Sequence, residues 1–257
     1  MSEYINVDKN KCVGCSLCVK DCPNGHLYIE DKRAKTHESG CIECGHCYAI
    51  CPSNAIEMRK YDTNDSEPVV SMTEFDSKKL LRAMKSRRTI RQYKDMPVEQ
   101  EKIDSILEAG RYCPTAANSQ NVTYTILEKN QRAIENKCIV IFRRALKILS
   151  PFIKIAENIE VDDDFFFKKA PLVIIVSSKS NINGGLASSY MELMAESLGL
   201  GVLFSGFFCV CYKLSPKIRK MVNLPKGEKI ISCMVIGYPS VKYQRTVPRK
   251  PLKVCKR

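Results

Sequence analysis

The chain has 257 residues, 44% of them hydrophobic, enough to bury a sizeable core and more than one small domain needs. No stretch approaches the roughly eighteen apolar residues of a membrane-spanning helix, and the opening MSEYINVDKNKC has no apolar secretory region, so a cytoplasmic protein with no membrane partner is expected. The formal charge of +13 is scattered without a long basic block or a nucleic-acid motif, which argues against a nucleic-acid partner.

Fourteen cysteines are many for such a chain, and eight of them fall within residues 12–51. Residues 12–23 read CVGCSLCVKDCP and residues 41–52 read CIECGHCYAICP, both C-x2-C-x2-C-x3-C-P, repeated at an offset of 29. Three cysteines three apart wrap a short loop around one metal centre, and the fourth reaches across to the other centre in the two-cluster arrangement. Cys12, Cys15, Cys18 and Cys51 are therefore expected to hold one [4Fe–4S] cluster, and Cys41, Cys44, Cys47 and Cys22 the other. A zinc ribbon uses two separated C-x2-C knuckles rather than a triple followed by C-P, and structural disulfides need an oxidising compartment. The stretch resembles bacterial-type two-cluster ferredoxins over about residues 3–59. Such a module has little apolar core, so its metal would supply much of the folding energy.

The three histidines, His26, His37 and His46, all lie in this module without metal-ligand spacing, and read as surface residues or neighbours of the ligands. The other six cysteines, Cys113, Cys138, Cys209, Cys211, Cys233 and Cys255, are scattered, and buried free thiols are the plain reading for Cys209 and Cys211.

Residues 60–72, KYDTNDSEPVVSM, read as a linker between a module at 1–59 and a second domain at 73–257. Thr73 and Asp76 look like a capping pair for a helix whose apolar face is Leu80, Leu81 and Met84. A second helix is expected over 98–110, with Ile103, Ile106 and Leu107 on one stripe and Gly110 at its end. Strand-like runs at 122–127, 172–177 and 230–236 alternate with helical segments at about 130–149, 187–198 and 215–222, which points to an α+β or α/β domain. Without a histidine beyond residue 46, this domain has no Ser–His or Cys–His dyad. It also lacks GxGxxG and the P-loop pattern, so a bound redox cofactor is the expected source of its chemistry.

Ser86 to Tyr93 read SRRTIRQY, three arginines within five residues just after a helix, which suits bidentate phosphate binding as well as a solvated basic surface. This segment resembles the R-R-[ST]-x-R-x-[FY] start of the nitroreductase family. Pro114–Gln120, PTAANSQ, resembles its P-[ST]-x-x-N-x-Q loop, Gly199-Leu200-Gly201 through Ser205-Gly206 its G-L-G-x-x-x-x-G segment, and Gly237-Tyr238-Pro239 with Pro248–Pro251 its last strand and basic tail. The loop departs from the family's N-x-Q-P-W continuation, since Asn121-Val122 follow and the chain has no tryptophan.

The resemblance implies an α+β fold, a central mixed sheet flanked by helices, that binds FMN in a homodimer. It implies that Arg87, Arg88, Thr89 and Arg249, with Lys250, hold the FMN phosphate, and that Arg91 lies closer to the ring. Pro114, Thr115, Ala116 and Asn118 would face the flavin from the partner subunit, with Ser205 and Gly206 offering backbone N–H groups to its N5 edge. Two oxidised clusters at about −4 and FMN at about −2 would leave roughly +7, a surplus suited to docking an acidic electron carrier. The external donor is expected to be a ferredoxin- or flavodoxin-type protein, or NAD(P)H, and the acceptor a nitroaromatic, a quinone or an activated alkene. No catalytic acid is expected, because water supplies the protons. The segment 131–169 falls where that family varies its substrate-covering elements, so Phe165, Phe166 and Phe167 read as an aromatic lid or as core.

Overall fold

The computed structural model describes residues 3–71, 74, 76–149 and 159–257, which fall into two compact units. The first is Met1–Phe75 with Ala116–Ser119; the second is Asp76–Thr115 with Gln120–Arg257.

The first unit is built twice from one plan. Strand β1 (Ile5–Val7) pairs antiparallel with β4 (Ile56–Met58), in the register Ile5 to Met58 and Val7 to Ile56. Strands β2 (Leu27–Glu30) and β3 (Arg33–Thr36) form a hairpin whose two turn residues, Asp31 and Lys32, both have positive φ, the turn that matches strand twist. Between them lie two single-turn helices, α1 (Leu17–Lys20) and α2 (His46–Ala49). The 29-residue sequence offset reappears in the backbone: the left-handed residues Gly14, Ser16 and Gly25 recur as Glu43, Gly45 and Asn54. Gly14 is held to glycine twice over, by its φ of 69° and because a Cβ there would meet the Lys32 carbonyl oxygen at 2.3 Å. The unit's hydrophobic core is Ile5, Leu27, Ala34, Ala55 and Ile56 together with Cys12, Cys18 and Cys47. The expected linker carries a 3₁₀ turn at Thr63–Asp65, capped by the Asp62 carboxylate through the Asn64 N–H at 2.9 Å.

The second unit is a sheet between two helical layers. Helix α3 (Ser77–Ser86) is capped by Asp76, whose carboxylate accepts from the N–H groups of Lys78 and Lys79 at 2.9 and 3.0 Å. Thr73, the other half of the expected capping pair, lies outside the described residues. Then follow α4 (Gln100–Arg111), β5 (Val122–Ile126), α5 (Gln131–Leu149), β6 (Leu172–Ser178), α6 (Asn181–Ser197), β7 (Gly201–Phe204), α7 (Gly206–Leu214), α8 (Pro216–Val222) and β8 (Lys229–Gly237). The strand order is β5-β6-β8-β7. Every pairing among the described residues is antiparallel, where a mixed sheet was expected, because β6 and β7, which run the same way and are joined by the crossover helix α6, are separated by β8, which runs against both.

Strand β6 is buried along its whole length, as its unbroken LVIIVSS run requires of a strand covered on both faces. Val173 and Ile175 join Cys233 and Val235 of β8 in a core with Ile134, Phe142, Phe208 and Ile218 from α5, α7 and α8. Leu172, Ile174 and Val176 point the other way, to Ile106 of α4 and Met191 and Ala195 of α6. Phe166 and Phe167 are 1% and 0% exposed, so they are core residues rather than a lid. Their backbone N–H groups are both accepted by the buried Glu135 carboxylate, at 3.1 and 2.9 Å, which ties this segment to α5.

The arginine-rich segment is fastened to the sheet by its two hydrophobic residues, Ile90 and Tyr93. The N–H of Ile90 donates to the Val202 carbonyl at 3.1 Å, and the Tyr93 hydroxyl donates to the Val235 carbonyl at 2.9 Å. Ile90 packs so closely over β7 that a Cβ at Gly201 would lie 2.2 Å from its Cγ1. Gly201→Ala should therefore destabilise the protein by about 2 kcal/mol, since a clash inside a packed core is relieved only by moving the backbone. The check is the denaturant midpoint of unfolding, which should fall with the slope unchanged.

Candidate functional site

The eight motif cysteines sort into two cavities in the first unit. One, of about 380 Å³, is lined by Cys22, Cys41, Cys44 and Cys47, and the other, of about 330 Å³, by Cys12, Cys15, Cys18 and Cys51. In each, three thiols come from one motif and the fourth from the end of the other. No three His, Cys, Asp or Glu side chains among the described residues converge on a single ion. A cubane spreads its four thiolates around a space rather than onto a point, and the two cavities have that form.

The donor chemistry also fits thiolates. The His26 N–H points at Cys22 Sγ at 3.2 Å, and its counterpart one repeat later, the Ala55 N–H, points at Cys51 Sγ at 3.3 Å. The N–H groups of Ala34 and Glu43 approach Cys12 and Cys41 Sγ, each at 3.4 Å. Burial raises the thiols of Cys18 and Cys41, and pushes Cys47 up to about 12, so metal must displace protons there to bind. His26 is buried with Nδ1 3.0 Å from the Ser39 carbonyl oxygen, whereas His37 and His46 are exposed.

In the second unit the arginines divide into different roles. Arg87, expected to hold a phosphate, donates through Nη1 to Glu192 Oε1 on α6 at 2.8 Å and so is the counter-ion of a buried carboxylate. Glu196, one turn further, has Oε1 buried without a partner. Burial and the neighbouring Glu192 charge push its carboxyl up to about 6, with Arg87 opposing. Arg88 carries the open donor: its Nη2 is given to the Lys85 carbonyl at 3.2 Å, while its Nε is buried with no partner. An orphaned guanidinium N–H is what an absent anion leaves behind.

Lys85 and Arg249 line an open cleft of about 800 Å³ with Met84, Thr246 and Val247, which brings the basic tail to the end of α3. The Tyr243 hydroxyl donates to the Thr89 carbonyl at 3.5 Å, and Arg91 and Lys250 are exposed. Ser205 departs from expectation: its N–H is committed to the Cys233 carbonyl at 2.8 Å, because it closes the end of β7 against β8. Gly206 opens α7 with empty space where a Cβ would stand, and remains a candidate N–H donor.

The loop Pro114–Gln120 is a tight, strained turn, with Ala117, Asn118 and Gln120 all at positive φ. The Gln120 N–H donates to Thr115 Oγ1 at 3.0 Å, and Pro114 and Ala116 are exposed. Asn118, expected to face a flavin from the partner subunit, donates its amide to the backbone carbonyls of Glu43 at 2.8 Å and Ile42 at 3.4 Å. Lys85, Glu192 and Glu196 were missed in the sequence. The glutamates' i, i+4 spacing marks one helix face, but their partner Arg87 lies more than a hundred residues away.

Comparison with known proteins agrees with this geometry. Residues 84–238 match the nitroreductase family, and residues 4–61 match a 4Fe-4S dicluster domain. A putative NADH dehydrogenase/NAD(P)H nitroreductase of Methanothermobacter thermautotrophicus is 29% identical over 63% of this chain and 78% of its own length. One component of the ion-translocating oxidoreductase complex of Methanosarcina acetivorans is 44% identical over 48 residues, 19% of this chain and only 18% of that component. In structure, a Bacteroides fragilis nitroreductase with bound FMN superposes with a TM-score of 0.56 at 21% identity, over 69% of this chain and 98% of that one.

Removing Arg87 leaves the Glu192 and Glu196 carboxylates without their counter-ion. Both are raised above the usual carboxylate range, so the folded state takes up protons as pH falls through about 6, and stability rises on that side. Arg87→Ala should cost about 2 kcal/mol at pH 8 and less at pH 5, where protonation relieves the uncompensated charge. Denaturant unfolding at the two pH values checks both the loss and its sign.

Proposed function

The chain belongs to the nitroreductase family and carries a ferredoxin domain ahead of it, and from that premise we propose that it passes electrons from two [4Fe–4S] clusters to FMN and on to a small organic acceptor. The acceptor would be a nitroaromatic, a quinone or an activated alkene. The observation that carries this reading is the sorting of eight thiols into two four-thiol cavities, each completed by a cysteine of the other motif. We take residues 1–59 as the cluster module, 60–72 as linker and 73–257 as the flavin domain, in a cytoplasmic protein.

When bound, FMN would supply the step from single electrons to a two-electron transfer. The chain's own part is to hold it. Arg88, with Lys85 and Arg249, would take the phosphate; Arg87 would fix this segment through Glu192. The exposed Arg91 is the cation free to stabilise a reduced, negatively charged ring. Thr89, Pro114, Thr115, Ala116, Gly206 and Lys250 remain proposed contacts.

A second copy of the chain would complete the site. Helix α3 supports this, because Leu80, Leu81 and Met84 are 43%, 51% and 44% exposed on one face. Ile182, Leu186 and Tyr190 of α6 form a second exposed row at helical spacing.

The name of the Methanothermobacter relative favours a second donor: NAD(P)H would reduce the flavin directly, and the clusters would be an accessory or exit path. A non-enzymatic carrier or redox sensor is the remaining alternative. Turnover of a nitroaromatic or quinone by the holoprotein above the rate of free FMN is expected; equal rates would leave only that alternative.

The phosphate assignment has its own test. Arg88→Ala/Arg249→Ala should lose most of its FMN while keeping full iron content, measured on the same sample by flavin absorbance and iron assay. Full FMN retention would remove both arginines from the site.

A further inference from the structure

The two cysteine motifs are equivalent in spacing and nearly so in backbone, and one difference between them lies at the third residue of each. In the first motif, Gly14 lies against the Lys32 carbonyl, supplied by the β2–β3 hairpin. In the second, the matching residue is Glu43, a non-glycine residue at φ 56°. Its N–H donates to Cys41 Sγ at 3.4 Å, and its carbonyl accepts the Asn118 amide at 2.8 Å. The Ile42 carbonyl accepts from the same amide nitrogen at 3.4 Å. Both neighbours are carbonyl oxygens, so the nitrogen of Asn118 faces them and not its oxygen.

We propose that Asn118 is a positioning residue for the cluster held by Cys22, Cys41, Cys44 and Cys47. This rests on the reading that those thiols hold a cluster. Asn118 fixes the Glu43 peptide in a left-handed conformation that glutamate disfavours, and the fixed peptide keeps its N–H on the Cys41 sulfur. Hydrogen bonds to cluster sulfurs stabilise the reduced, more negative state and so raise the reduction potential. The turn that presents Asn118 is itself overdetermined: Ala117 and Asn118 are both left-handed, and the Ser119 N–H closes it on the Ala116 carbonyl at 3.1 Å. In the other cluster's ligand loop the matching N–H on sulfur comes from Ala34 of β3, 3.4 Å from Cys12 Sγ, so the Asn118 amide acts on one cluster and not on the other.

Two variants separate the amide from the loop shape. Asn118→Asp is nearly isosteric and tolerates positive φ, but sets a carboxylate against two carbonyls; Asn118→Gly keeps the backbone and removes the side chain. Full-length, anaerobically reconstituted protein is titrated electrochemically with EPR detection, and iron release to a chelator is timed. In both variants one cluster should titrate at lower potential and lose its iron roughly tenfold faster, the loss of one hydrogen bond's worth of restraint, while the other cluster is unchanged. Two unchanged clusters, or two shifted alike, would overturn the assignment. A wild-type protein with fewer than two distinguishable clusters would overturn the premise, and is read before either variant.

Discussion

Metal–thiolate bonding is the interaction on which the N-terminal unit depends. Its buried hydrophobic core among the described residues is five aliphatic side chains and three cysteines of the two motifs, too little apolar surface to hold some sixty residues against chain entropy. The strands are three or four residues long and the helices single turns. What the backbone does instead is place N–H groups on sulfur and glycines where the chain turns under it. The same geometry serves electron transfer, because fixed N–H donors around a thiolate set the energy of adding an electron.

The second unit is organised the other way round. Its core is large, β6 is covered on both faces, and the residues of SRRTIRQY divide between scaffold and site. Ile90 and Tyr93 pin the segment to β7 and β8, Arg87 neutralises a carboxylate on α6, and Arg88 is left with an open donor. The charge surplus belongs to this part of the chain. Residues 1–71 hold eight Lys and Arg against eleven Asp and Glu, and residues 72–257 hold 33 against 17. An acidic carrier would therefore be drawn to the flavin domain, and the basic field also suits an anionic cofactor and electron-poor acceptors.

The grouping of the eight cysteines into two sets of four was legible in their spacing, and the 29-residue offset reappears in backbone dihedrals. Helices α3, α4, α5 and α8 and strands β5, β6 and β8 follow from local periodicity. Helix α6 starts earlier than its pattern suggests, since Gly184-Gly185 masks a first turn that Ser180 caps. Strand β7 and helix α7 were hidden in a short glycine-bounded stretch whose Cys209 and Cys211 read only as buried thiols. Cys211 is indeed buried and Cys209 half-buried, both on α7. Roles that need a distant partner were not legible at all. Arg87 with Glu192 and Asn118 with Glu43 are pairings that periodicity does not encode.

The central claim is that electrons reach the flavin through the clusters. Its most direct measurement is anaerobic bleaching of the flavin in cluster-replete protein, with reduced ferredoxin or with NADH and NADPH as donor. Ready bleaching by reduced ferredoxin and none by nicotinamide is the result expected of a relay. Rapid bleaching by NADH or NADPH, with no response to reduced ferredoxin, would contradict it and leave the clusters as an outlet.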